Sequence, residues 1–341
     1  MPDYIIPDEE NQVVSTEKLQ DEKFPWRERK KQTLRLADIY SKAGYADYAG
    51  RASYCSTWLE YYALHDDFGE LQKDLKHANF CNLRLCPLCS TRRALKAAIR
   101  LTSVLNRVEQ GHKGVLFIFL TLTIQNVSYG ELSAALTSLT SAFHKLMRHR
   151  PIQRAVKGWF RAIEITHGKN GFHPHLHVII AVEPDYFQRS SGLYITQAEW
   201  EKHWKKALKV DYKPRVDIRA TRSKTGFKSN LSAALEAAKY TVKSDEYIGS
   251  NVPMDEAVKL VKEYTDSLYR RRLTAFGGWL KEAAQQLAIE DLEDGDLVHI
   301  DDKRIREDIA EMILCYGWNF GMGDYILRDI AMNNVQNGDE Q

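Results

Sequence analysis

Apolar residues follow two rhythms along this chain. Over GVLFIFLTLTI (114–124) they run almost unbroken, as in a strand buried on both faces. In GELSAALTSLTSAFHKLM, Leu132, Leu136, Leu139, Phe143 and Leu146 recur three or four residues apart, which lines one face of a helix. WFRAIEIT (159–166) and HPHLHVIIAV (173–182) read as two strands joined by the turn HGKNG. TQAEWEKHWKKAL (196–208) reads as a helix and RVDIRA (215–220) as a short strand. SNLSAALEAAKYTVK (229–243) reads as a helix opened by Ser and Asn. The predicted order is β-α-β-β-α-β and then a helix. That is the split βαβ pattern of a ferredoxin-like (RRM-like) antiparallel sheet in an α+β fold.

Outside this region the pattern weakens, and it suggests boundaries. Residues 1–45 are polar, with some helix near KKQTLRLADIYSKAG, and are expected to form a flexible arm. Residues 46–95 carry four of the five cysteines as a small module, and 96–285 form the sheet domain. Residues 286–341 are expected to be an acidic helical region, entered through GWLKEAAQQLAIEDL.

Charge sharpens the picture. The net charge is only +2, yet residues 290–341 hold 14 Asp/Glu against 4 Lys/Arg, so the remainder is strongly basic. A basic body suits a polyanionic partner. Hydrophobic content of 44% with 28% charged residues is that of a soluble globular protein. No apolar run reaches the length of a membrane span. The opening MPDYIIPDEENQ has no secretory pattern, so no membrane role and a cytoplasmic location are expected.

The densest chemistry is in GFHPHLHVII (171–180). On a strand, His173, His175 and His177 share one face, while Leu176, Val178 and Ile180 take the other. A hairpin centred on Lys169 and Asn170 places Glu164 opposite His175. A shift of the centre by one residue places it opposite His177. Both registers put Glu164 on the histidine face. Two imidazoles and a carboxylate bind a divalent metal and leave coordination positions open. His173 is at the strand's edge or touches substrate.

Cys81-x4-Cys86-x2-Cys89 supplies three thiolates for a tetrahedral zinc site, with Cys55 or His77 as the fourth ligand. Cys315 stands alone and is expected in the core. Glu236, Tyr240 and Lys243 are spaced i, i+4, i+7, along one helical stripe. Three basic stretches, RLCPLCSTRRALK, HKLMRHRPIQRAVKGWFR and RATRSKTGFK, could follow a DNA backbone. Trp159, Phe160 and Phe227 could stack on unpaired bases, or Trp159 and Phe160 could pack in the core.

FLTLT (119–123), HPHLHV (173–178) and EAAKYTVKSDEY (236–247), in that order, resemble the three motifs of HUH-superfamily rolling-circle replication initiators, above all the Rep class of small bacterial plasmids. CNLRLCPLCSTRR resembles the cysteine-rich stretch before the nuclease core in that class. The likeness runs from about Cys55 to about Trp279. It implies an HUH endonuclease domain over 96–285 and a zinc-binding module over 46–95, with Cys55 favoured as the fourth zinc ligand. It implies that His175, His177 and Glu164 bind Mn2+ or Mg2+, that Tyr240 is the nucleophile, and that Glu236 activates water to end the cycle. Tyr247 is the rival for that last step, as a second nucleophile. Thr121 and Thr123 match the first motif, with a structural role. Lys243 or Lys239 could favour the Tyr240 phenolate.

The resemblance further implies nicking of single-stranded or hairpin DNA at a replication origin, through a 5′-phosphotyrosyl link and a free 3′-hydroxyl. A host polymerase would extend that end, and a host helicase is an expected partner. No G-x-x-x-x-G-K-[ST] loop suggests ATP use. Other readings are an HUH transposase or relaxase, and a non-catalytic zinc-dependent DNA-binding regulator.

Overall fold

The computed structural model describes residues 17–20, 24–220, 222–223, 226–227, 234, 237, 242–289, 292, 295–300 and 305–332. Helices α1 (Trp26–Lys42) and α2 (Ala46–Tyr54) lead into strands β1 (Trp58–His65) and β2 (Leu71–Ala78). Helix α3 (Pro87–Gly111) connects these to β3 (Leu116–Thr123), α4 (Leu132–Met147), α5 (Arg150–Ala155), β4 (Val156–Gly168) and β5 (Gly171–Val182). Then come α6 (Gln197–Leu208), β6 (Val216–Ala220) and a short ribbon, β7 (Arg222–Ser223) with β8 (Gly226–Phe227). The described chain ends with α7 (Asp245–Ile248), α8 (Met254–Leu268), β9 (Thr274–Gly278), α9 (Trp279–Gln286), β10 (Met312–Asn319) and β11 (Asp324–Met332).

The elements form a mixed α+β structure with antiparallel sheets. The larger sheet has the order β6-β3-β5-β4-β9, and all its pairings are antiparallel. β3 and β4 therefore run parallel with β5 between them, and α4 forms the crossover. The apolar stripe of α4 explains this: Leu132, Leu136, Leu139, Phe143 and Leu146 are all buried. They share a cluster with Leu176, Val178 and Ile180 of β5 and Ile118, Leu120 and Leu122 of β3. The opposite face carries Phe117, Phe119, Phe160, Ile179 and Ala181, covered by α3 and α9. The unbroken apolar run of β3 thus reflects burial on both faces. A capping box at Thr196 and Glu199 sets the start of α6.

The second sheet has the order β11-β10-β1-β2 and was not read from the sequence. It corrects two expected boundaries. Residues 26–42 are not part of a loose arm: α1 buries Trp26, Lys30, Thr33, Ala37 and Tyr40 along one stripe. The region 286–341 is not wholly helical, because β10 and β11 form a hairpin and β10 pairs with β1. ILCYGW is a short apolar run, which periodicity cannot assign to strand or helix. The cysteine region consequently shares a sheet with residues 312–332. α3 runs straight through the boundary expected at residue 95.

Trp159 meets Phe143 edge-on at 4.9 Å and lies against Gly277, where an added Cβ would come within 2.3 Å of its ring. Phe160 is fully buried. Both belong to the packing, not to a base-stacking surface. The side chain of Phe227 lies outside the described residues. Cys315 is buried. No described helix is long and apolar enough to cross a membrane.

Candidate metal centre

The β4–β5 hairpin turns at Lys169 and Asn170 and pairs Glu164 with His175 and Ala162 with His177. That is the first of the two registers expected. Gly171 sits at φ +89° against the Val127 carbonyl, where a side chain would collide, so the tight turn requires glycine there. On the other edge of β5, Thr123 faces His175 and Thr121 faces His177. One sheet face thus presents Glu164, His175 and His177 together, with ligand atoms all within 4.8 Å of one another.

The hydrogen bonding shows what this cluster wants. Glu164 Oε2 lies 3.3 Å from His175 Nε2 and 2.5 Å from His177 Nε2. His175 Nδ1 lies 3.2 Å from the His173 carbonyl oxygen, and only a protonated nitrogen can pair with it. In a neutral His175, Nε2 then carries a lone pair, facing a carboxylate oxygen. Two acceptors so close need a cation between them, either a proton or a metal ion. His177 Nδ1 lies 3.5 Å from the Thr121 hydroxyl, which helps to set that ring. The threonine of the first motif therefore contacts a candidate ligand. Burial alone would raise the Glu164 pKa, but hydrogen bonds and charge from His175 and His177 outweigh it and hold the carboxyl well below its usual range. His173 is beside this group, its ring 5.4 Å from that of His175, and burial lowers its pKa, as do His175 and Arg215. It is not in the converging set.

A second carboxylate stands nearby. Glu246 of α7 accepts a hydrogen bond at 2.9 Å from the backbone N–H of His167, near the end of β4. Burial raises its pKa; the charge of Glu164 adds to the rise, and the His167 N–H, Lys243 and His175 oppose it. The sequence reading passed over Glu246, although it falls three residues after Lys243 in the third motif. Lys243 is exposed. Glu236, Lys239 and Tyr240 lie outside the described residues. Ala234 and Ala237, two residues before and one after Glu236, are helical and buried in the cluster on the histidine side of the sheet.

Tyr247 does not fit the role of second nucleophile. It is 1% exposed, and its hydroxyl donates to the Leu85 carbonyl at 2.6 Å. Burial pushes its pKa well above the usual value.

The cysteines form a separate, closed group. Cys55 ends α2, Cys81 follows β2, Cys86 caps α3 and Cys89 lies in its first turn. Pro87 at the first helical position pre-sets the start of α3. Sulfur atoms are 3.6 Å apart for Cys55–Cys89, Cys81–Cys89 and Cys55–Cys86. A tetrahedron with Zn–S bonds of about 2.3 Å has edges of about 3.8 Å, so the four fit zinc. Cys55, not His77, completes the set; His77 is an exposed β2 residue opposite Glu60. Burial would raise the Cys86 thiol, but hydrogen bonds from the other cysteines and the Cys89 N–H hold it well below its ordinary value. Lys30, fully buried, donates to the carbonyls of Ser53 (2.8 Å) and Cys55 (2.6 Å). The sequence reading missed it, although it occupies the apolar stripe position between Trp26 and Thr33.

Residues 72–326 match the model of the replication protein family Rep_1. The chain belongs to that family. A protein rep of Streptococcus pneumoniae is 33% identical over 312 residues, covering 90% of this chain and 93% of that protein. One of Lentilactobacillus hilgardii is 35% identical, with 89% and 95% covered, and one of a Bacillus species is 36% identical, with 83% and 95% covered. No solved structure matches. The resemblance to Rep replication initiators, read from three motifs, therefore holds for the family as a whole.

Proposed function

We propose that this Rep protein starts rolling-circle replication of a small plasmid as a metal-dependent, single-strand DNA endonuclease and strand transferase of the HUH type. The carrying observation is the convergence of Glu164, His175 and His177 on one face of the sheet. The strand order β6-β3-β5-β4 with the α4 crossover supports a ferredoxin-like core. A bound Mn2+ or Mg2+ would polarise the scissile phosphate. Tyr240 is the nucleophile: its phenolate oxygen bonds to phosphorus as the P–O3′ bond breaks. The products are a 5′-phosphotyrosyl link and a 3′-hydroxyl, which takes up a proton and can be extended by a host polymerase after a host helicase opens the duplex. Glu236 is the general base for the water that ends the cycle. The burial of Tyr247 favours Glu236 over it in that step. Lys243 supplies positive charge for phenolate formation. The four cysteines hold structural Zn2+.

The test is a covalent adduct. Wild type and Tyr240→Phe are incubated with Mn2+ and supercoiled DNA carrying the plasmid's own origin, then run on a denaturing protein gel. A DNA-linked band with wild type alone is expected. An adduct with both proteins overturns the choice of nucleophile. Binding without nicking or adduct by the wild type overturns the nuclease reading in favour of a regulator.

A further inference from the structure

Away from the histidine face, a cavity of about 150 Å³ opens between α2, the loop 82–85 inside the cysteine motif, and the end of α8. It is smaller than a drug-sized site of about 300–1,000 Å³ and suits one planar ring system. Its walls include Tyr48, Tyr264 and Tyr269 and the guanidinium-bearing Arg51, Arg84 and Arg270, and no carboxylate. Two of those guanidinium groups lie over tyrosine rings: Arg51 over Tyr48 at 5.5 Å and Arg270 over Tyr269 at 5.2 Å. Arg51 also meets Asp47 at 3.6 Å and donates to the Cys81 carbonyl. Tyr269 is 60% exposed at the rim.

Arg270, at φ +50°, closes the turn that ends α8, where the Arg271 N–H donates to the Leu268 carbonyl at 3.2 Å, so the turn carries this arginine to the cavity.

We infer that this cavity binds one unpaired DNA base, stacked on tyrosine, with its flanking phosphates on the arginines. Aromatic faces accept any base, and three arginines, of which Arg51 is paired with a carboxylate at 3.6 Å, favour a polyanion. The cysteine cluster then has a task beyond folding: it fixes the loop that forms one wall of the cavity. The assignment rests on the DNA-processing reading above, but it concerns a site that does not depend on cleavage.

The test uses the full chain and single-stranded oligonucleotides carrying one 2-aminopurine, without added divalent ion, so that binding is read apart from cleavage. Wild type should quench the fluorophore. Tyr269→Ala should lose the quench and bind about 5- to 150-fold more weakly, the range of one base stacked on an aromatic ring. Tyr269→Phe should bind within about twofold of wild type. Arg84→Ala should also bind more weakly, because a phosphate loses its cation. Unchanged single-strand binding by Tyr269→Ala overturns the inference. Failure of the nuclease reading would show instead as a wild type that forms no adduct, whatever these binding results.

Discussion

The four cysteines converge from the end of α2, the loop after β2 and the start of α3, whereas Glu164, His175 and His177 stand on two adjacent strands. The cysteine group offers a full tetrahedron of ligands from segments that would otherwise be separate, so a metal there would contribute to folding. The strand group is held in place by a sheet buried on both faces. It offers three ligand atoms, so a metal held there would keep positions open. Within one chain, then, the origin of the ligands separates a site that builds structure from a site that uses it.

This contrast can be broken in several places. The largest effect is expected at the cysteines. A structural zinc site is worth about 10–16 kcal/mol in small domains, as much as the whole stability of a typical protein. Cys86→Ser should therefore abolish amide protection in β1, β2, β10 and β11, read by hydrogen exchange. Glu164→Ala should do the opposite, lowering adduct formation at least about 100-fold with a thermal midpoint that is unchanged or raised. If it unfolds the protein, the strand site is structural too. Lys30→Met should cost about 2–4 kcal/mol in denaturant unfolding, because two buried carbonyls lose their donor. Thr121→Val should weaken divalent-ion binding by about tenfold through His177 alone, measured by calorimetry. The smallest effect is Tyr247→Phe, at about 1 kcal/mol of stability, with adduct formation kept.

The strand site was legible in the sequence because its information is local. A hairpin fixes which residues share a face, so Glu164 could be matched to His175 by counting. The α4 stripe and the β3 run were legible for the same reason. What escaped depends on contacts between distant segments. β1 pairs with β10 across some 250 residues, and no pattern in ILCYGW identifies that partner. Lys30 stands in the charged run RERKK, and only its position on the Trp26–Thr33–Tyr40 stripe points inward. Glu246 gains its place only where α7 meets the end of β4. The choice of Cys55 over His77 likewise needed the fold, since spacing within CNLRLCPLC leaves the fourth ligand open.

The most direct test of the central claim is a count of metal ions. Wild type and Glu164→Gln, both purified without chelator, are titrated with Mn2+ and followed by electron paramagnetic resonance, with zinc content measured on the same samples. The account predicts one tightly held Zn2+ in both proteins and one exchangeable Mn2+ in the wild type only. Equal Mn2+ binding by the two proteins would contradict it.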